Sequence, residues 1–338
     1  VTHREPGGAG AQARRRPMSA AYRELSELYR TGGATPADGE LTDQHVAAYL
    51  AARLPATHAA SRAVFAELAL RRPDWRPASL LDLGAGPAPA TWAALESFPD
   101  LARVDLVERS TLMIAAGRRL AAERPWAALR AARWHHGGAE TPPALEADLT
   151  VAAYLLGELP AAARPAALAA WWRVTAGDLV LVDAGTPAGY QRLLAARRAL
   201  LDAGATITAP CPSDGDCPLP AGDWCHFARR VERSALHRGL KDAERGHEDE
   251  KFGYLVASRQ APAHAAGRLL RAPQPRSGHV RLTLCTPGGR RERVVARSQA
   301  DAYRWARRAR WGDPVPHTPA DPAPHNPTDP ALPPTAPH

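Results

Sequence analysis

Lysine is nearly missing from this chain. Only Lys241 and Lys251 occur among 43 basic residues, so arginine carries almost all the positive charge. Acidic residues number 35, and the formal net charge is +8. A clustered excess of that sign suits a polyanionic partner, RNA first. Long apolar runs are missing too. None approaches the ~18 uncharged residues that cross a bilayer, so no membrane partner is expected. The opening "VTHREPGGAGAQARRRP" is charged and has no apolar centre of the signal-peptide kind. The expectation is a soluble, cytoplasmic protein. Cysteine is scarce, at 4 in 338 residues. In a reducing compartment so few thiols exclude a disulfide framework, which makes their clustering informative.

What is present alternates. Residues 1–17 read as disordered, and residues 18–74 as a helical segment. In "LTDQHVAAYLAARLP" Thr42 is a candidate N-cap, and Val46, Tyr49, Leu50 and Leu54 share a face that Pro55 is expected to interrupt. Residues 75–262 read as an α/β domain. Strands are expected at 79–86, ending in a glycine turn, at 103–108 and at 148–156, with another at 178–185 and a weaker one near 129–134. Helices such as "PAGYQRLLAARRALLDAG" lie between them. Strands alternating with helices imply a parallel sheet covered on both faces. Residues 205–208 and 252–259 read as a closing strand pair, with an insertion at 209–250 near one sheet edge. A C-terminal unit, 268–312, is expected to hold a β-hairpin about Pro287-Gly288-Gly289 and the basic aromatic segment "YRWARRARWGD". Residues 313–338, with 10 prolines, read as a disordered tail.

A dinucleotide fingerprint is absent, because Gly86 is followed by Pro87, Ala88 and Pro89. "LLDLGAGPAPATW" nevertheless describes a strand, a glycine turn and a helix start, which lets backbone approach a ligand closely. Glu108 follows Gly86 by 22 residues at the end of the next strand, where a carboxylate can accept from both ribose hydroxyls. Asp82, Gly84 and Gly86 form a D-x-G-x-G pattern that resembles the first motif of S-adenosylmethionine-dependent methyltransferases. That resemblance implies S-adenosyl-L-methionine as cofactor, with Asp82, Gly84, Ala85, Gly86, Glu108 and Tyr154 as its binding residues. Such enzymes often carry a third glycine where Ala88 stands. Those acting on exocyclic base nitrogens often carry an Asn/Asp-Pro-Pro-aromatic turn after the fourth strand; here the segment is "AAYLLGELP". Tyr154 and Glu158 are pocket or wall residues on this reading, and no residue is assigned as catalytic.

Three of the cysteines, Cys211, Cys217 and Cys225, fall in "APCPSDGDCPLPAGDWCHF" with C-x5-C-x7-C spacing, and Cys285 lies 60 residues further on. A polar, Pro- and Gly-rich loop cannot build its own core, and a bound metal would hold it. Structural zinc usually uses C-x2-4-C knuckles, which are absent. The irregular spacing and the pairs Cys211-Pro212 and Cys217-Pro218 sit better with a cuboidal iron–sulfur cluster, with zinc as the alternative and His226 as a reserve ligand. The C-x3-C-x2-C pattern of radical enzymes is also absent. His135 and His136 read as a polar loop.

The block from Ala209 to Arg259, with "VDAGTPAGYQRLLAARRAL", "YRWARRARWGD" and the N-terminal "LSELYR", resembles the mitochondrial small-ribosomal-subunit methyltransferase-like assembly proteins and their bacterial relatives. The resemblance spans roughly residues 18–313. It implies a Rossmann-like, seven-stranded methyltransferase sheet with N-terminal helices, a Cys-rich insertion and a small C-terminal β unit. It further implies a 4Fe–4S cluster on Cys211, Cys217, Cys225 and Cys285, the small ribosomal subunit and its rRNA as partners, and a monomer off the ribosome. Methylation of the rRNA is left open, and a zinc-stabilised RNA-binding scaffold is the other reading. Arg304, Arg307, Arg308 and Arg310 interleave with Tyr303, Trp305 and Trp311 as candidate phosphate and base contacts. Arg229, Arg230, Arg233, Arg238 and Lys241 are expected to extend that surface.

Overall fold

The structure, a computed structural model, describes residues 18–27, 41–241, 245–260 and 264–316. The expected disorder of 1–17 and of most of 313–338 lies outside these residues. Residues 18–27 form helix α1. Thr42 caps α2 (Asp43–Ala48), and its N–H donates to His45 Nδ1 at 3.2 Å. The break expected at Pro55 does not occur. A π-turn, Tyr49–Arg53, carries the chain directly into α3 (Leu54–Arg71), where Pro55 sits in the first turn. A proline inside an α-helix lacks an N–H and presses on the carbonyl four residues back. The wider π-turn changes the bonding pattern before the proline is reached, so neither fault falls within regular helix.

The main sheet contains β1 (Ser79–Leu83), β2 (Arg103–Glu108), β3 (Arg133–His136), β4 (Ala147–Ala153), β5 (Thr175–Ala184), β6 (Thr206–Ala209), β7 (Phe227–Glu232) and β8 (His247–Ser258). The first five are mutually parallel, and β8 runs antiparallel to β5, β6 and β7. The order is β3-β2-β1-β4-β5-β8-β6, with β7 also paired to β8. The expected seven strands are therefore eight. β8 is 12 residues long, so one edge accommodates β6 beside its last residues and β7 beside its first. The cysteine loop leaves the sheet between those two neighbours. The third strand starts only at Arg133, because Ala127–Arg130 forms a short helix.

Both faces of the sheet are covered, which is why its strands read as unbroken apolar runs. Val180 and Val182 of β5 pack with Leu80, Leu106 and the residues of α3 and α4 (Pro89–Ser97). Leu179 and Leu181 point the other way, onto Trp171 of α7 (Arg164–Arg173) and Leu193 and Leu200 of α8 (Pro187–Asp202). Helix α5 (Thr111–Ala122) follows β2, α6 is the short helix before β3, and α9 (Ala235–Lys241) lies between β7 and β8.

The C-terminal unit is a five-stranded antiparallel sheet rather than a hairpin. The hairpin pair is β11 (His279–Thr286) and β12 (Gly289–Ala296), and β9 (Gly267–Leu269), β10 (Gln274–Arg276) and β13 (Pro314–Val315) are added around it. Strands of two or three residues are too short for alternation to announce them. β13 also brings Pro314 and Val315 out of the expected tail and into the sheet. Helix α10 (Ala300–Arg308) covers one face, burying Ala306 with Leu269, Val280, Leu282, Leu284 and Val295.

Helix α8 packs closely at its start. A Cβ on Gly189 would stand 2.1 Å from the Ala184 carbonyl oxygen. Gly189→Ala is expected to destabilise the fold by ~1–3 kcal/mol, read as a lower urea midpoint with unchanged slope.

Candidate functional site

Two of the cavities among the described residues collect residues singled out by the sequence. The first opens at the carboxyl ends of the parallel strands, beside the point between β1 and β4 where the strand order reverses. In doubly wound sheets this crevice is the usual ligand site. It encloses about 1110 Å³, open solvent at its mouth included. Its floor is the turn after β1. Gly84 and Gly86 take φ of 67° and 54°, and Ala88 takes 71°. The third-glycine position thus needs a left-handed residue, and alanine adopts that conformation under strain. The Ala85 N–H donates to Val107 O at 2.9 Å and the Ala88 N–H to Ala85 O at 2.8 Å, which holds the turn shut.

Glu108 stands at the turn. One carboxylate oxygen accepts from the Gly86 N–H and the other from the Ser110 N–H, each at 2.8 Å. Burial pushes its pKa up, against those backbone donors. Each oxygen keeps further accepting capacity for a hydroxyl. Gly84, Gly86, Glu108 and Tyr154 line the cavity, whereas Asp82 and Ala85 lie behind the turn. Asp82 Oδ2 accepts from the Thr91 hydroxyl at 2.6 Å, and Oδ1 has no partner among the described residues. Burial raises Asp82 to about 7.

Sequence reasoning missed the roof and the far wall. Tyr49, Arg53 and Thr57, from the π-turn and α3, close over the glycine turn. A Cβ on Gly86 would lie 3.5 Å from the Tyr49 hydroxyl. Burial raises Tyr49 to about 12. Tyr154, at φ 60°, donates its hydroxyl to Glu250 at 2.8 Å, and Arg53 lies 5.3 Å above its ring and 3.6 Å from Glu250. Asp183 is bound bidentately by Arg192 at 2.7 and 2.8 Å. The one sequence hint of the roof was Pro55, whose awkward place in a helix marks a distortion. His135 and His136 lie on β3 rather than in a loop. His135 Nε2 is 2.8 Å from Asp105, and His136 Nε2 is 2.9 Å from the Arg109 carbonyl.

The second cavity is lined by all four cysteines. Cys211 and Cys217 follow β6, Cys225 precedes β7, and Cys285 comes from β11. Burial and mutual repulsion raise Cys225 well above the usual thiol value and Cys285 to about 12. The Tyr190 hydroxyl is 3.1 Å from Cys217 Sγ. Among the described residues no three His, Cys, Asp or Glu side chains are grouped so as to hold a metal ion. His226 does not line this cavity. It stacks on Trp224 at 5.1 Å and meets Trp311 edge-on at 4.9 Å.

That contact corrects the expected RNA surface. Trp311 packs on the main core, and Tyr303 and Trp305 on the C-terminal core, each partly buried, so part of each ring is taken up by packing. The arginines on and just after β7 are also partly neutralised, because β8 brings acids beside them. Arg230 pairs with Asp249 at 3.3 Å and Arg233 with Glu248 at 2.8 Å. Arg304, Arg307, Arg308 and Arg310 are exposed, with Arg304 paired to Asp301. The Lys241 side chain lies outside the described residues.

The family model described as mitochondrial small ribosomal subunit Rsm22 matches residues 43–316. The chain belongs to the Rsm22 family. Among its relatives, the human protein named ribosome assembly protein METTL17, mitochondrial, is 30% identical over 300 residues. Rsm22-cox11 tandem protein 2, mitochondrial, of Schizosaccharomyces pombe is 25% identical over 366 residues. The alignments cover 79% and 89% of this Rsm22-family chain, but only 62% and 45% of those relatives. Of solved structures, magnesium protoporphyrin IX methyltransferase from Synechocystis with bound SAH is 15% identical, with a TM-score of 0.42 over 73% of this chain and all of that one. Precorrin-6y C5,15-methyltransferase from Geobacter metallireducens is likewise 15% identical, at 0.39 over 59% of this chain and 86% of that one. Likeness at that level carries nothing about activity.

Asp82 generates a test. The folded chain keeps this proton to about pH 7, while the unfolded chain releases it near 3.8. The stability it contributes is complete at low pH and is lost as pH rises toward the folded value. Asp82→Asn removes that slope, so the variant should gain on the native chain by up to ~4 kcal/mol between acid and neutral pH. Thermal melts showing a constant difference across that range contradict a protonated Asp82.

Proposed function

We propose that this Rsm22-family chain acts in assembly of the small ribosomal subunit, binding its rRNA, with S-adenosylmethionine in the first cavity and a four-thiolate iron–sulfur centre in the second. The observation that carries this reading is the meeting of the four cysteines on one cavity from two separate sheets. A centre there would tie the exposed arginines of α10 to the nucleoside-binding body. Thiolate donors match iron and zinc alike.

The first cavity fits a nucleoside. A Cβ on Gly84 would press on Leu155 at 2.9 Å and one on Gly86 would stand 3.5 Å from the Tyr49 hydroxyl, so the turn stays close only with glycine there, and Glu108 offers two acceptors, already oriented by backbone donors, to a ribose diol. Bound S-adenosylmethionine would supply an electrophilic methyl group. The chain's own part is to bind the nucleoside and to exclude water beneath Tyr49 and Arg53. The Asn/Asp-Pro-Pro-aromatic turn is absent after β4, so this reading assigns no catalytic residue, and rRNA methylation is decided by assay.

Anaerobically purified protein is expected to be brown and to contain iron and sulfide; zinc in their place overturns the cluster. Cys217→Ser should expose residues 209–250 and the C-terminal unit to protease together. Calorimetry should show S-adenosylmethionine binding that Glu108→Ala weakens by about tenfold or more, the loss of a charged acceptor. Methyl incorporation into isolated small subunits then separates an enzyme from a scaffold.

A further inference from the structure

Two arginines lie buried against the thiol cavity, and the site described so far does not use them. Arg268 is 1% exposed, and every nitrogen of its guanidinium is engaged. Nε donates to Pro210 O at 2.9 Å, one terminal nitrogen to Gly312 O at 2.9 Å, and the other to Glu67 at 2.8 Å. It lies directly across from Cys285 in the β9–β11 register. Arg197, 7% exposed, donates to the carbonyls of Ser213 and Gly215 at 2.9 and 2.6 Å, between Cys211 and Cys217. Its Nε–H is buried and has no partner among the described residues. Both side chains line the cavity that the cysteines line.

Burying guanidinium groups is unfavourable unless opposite charge meets them. Glu67 meets Arg268 but is shared with Arg71 at 2.9 Å, so positive charge remains on this side of the cavity. Asp214 in the same loop feels Arg197 but is shared with His264 and the Ile207 N–H, and the hydrogen bonds of Arg197 go to carbonyls, so this one carboxylate does not offset the two guanidinium groups. Four thiolates would. Around a cuboidal iron–sulfur core they leave a net charge of about −2, which two guanidinium groups balance. The leftover Nε–H of Arg197 matches a sulfur acceptor, the kind of outer hydrogen bond that tunes such centres.

We infer that Arg197 and Arg268 form the outer shell of the thiol centre, supplying its counter-charge and holding the loops that carry Cys211, Cys217 and Cys285. This rests on the iron–sulfur reading above. Arg268 is also a positioning residue, because the same fork fixes the cysteine loop, the C-terminal segment and α3 at once. Its charge cannot be removed without changing what surrounds the sulfurs.

The test uses the full-length chain purified anaerobically, as wild type and as Arg197→Met, Arg268→Met, Arg197→Lys and Arg268→Lys. Removing either charge should shift the midpoint potential of the centre to more negative values and speed iron release to a chelator by about tenfold or more. The lysine variants keep the charge and lose the fork, so they should hold a potential near wild type yet still release iron faster. If the methionine variants fail to fold, the lysine pair carries the test, and wild-type release rates in both overturn the inference. Iron-loaded methionine variants with wild-type potential and release rate overturn it as well. Wild-type protein without iron overturns the underlying cluster reading, and this one with it.

Discussion

A single buried guanidinium holds the parts of this molecule together. Arg268 reaches α3 through Glu67, the cysteine loop through Pro210, and the segment after α10 through Gly312. Breaking a buried pair of this kind destabilises by ~3–5 kcal/mol, because the partner left behind is charged and dry. Apolar contacts add to the same junction. Trp311 meets His226, and a Cβ on Gly312 would stand 2.7 Å from Phe227. The C-terminal sheet is thereby held against the edge of the main sheet where β6 gives way to β7. That is where the thiol cavity forms, so the four cysteines can share a cavity only while this junction is made.

The cavity at the glycine turn is built on a different logic. Its floor depends on backbone conformation, with Gly84, Gly86 and Ala88 left-handed in succession and Glu108 bridging two N–H groups. Its roof depends on a π-turn that turns Tyr49 and Arg53 downward. Both cavities draw on β8. Glu250, near its start, holds Tyr154 and Arg53 at the first cavity, and Tyr254, four residues on, lines the second. That strand pairs with β5 on one edge and with β6 and β7 on the other.

Much of this was legible in the residues. Strands buried on both faces show as apolar runs, and β1, β2 and β5 lie where those runs predicted them. The glycine turn and Glu108 were legible because a close turn admits few residue types. The cysteines stood out because they are rare and lie in a loop with no core. Other features were silent for physical reasons. β7 carries Arg229, Arg230 and Glu232 in its six residues and reads as a charged loop until β8 pairs with it. The aromatics near α10 read as free base-stacking groups until the C-terminal core, an assembly of distant strands, is seen to cover part of Tyr303 and Trp305.

The sequence alone determined the local conformations and the chemical inventory: which segments extend, where the chain turns left-handed, and which side chains can ligate, accept or carry charge. Those properties depend on neighbours a few bonds away. Only the tertiary structure decided which of these groups meet. It set Cys285 against the loop of Cys211, placed Arg268 between three segments, packed Trp311 on the main core, and paired arginines on and just after β7 with the acids of β8. Such pairings join residues distant along the chain, and long-range packing, which no local pattern encodes, selects among them.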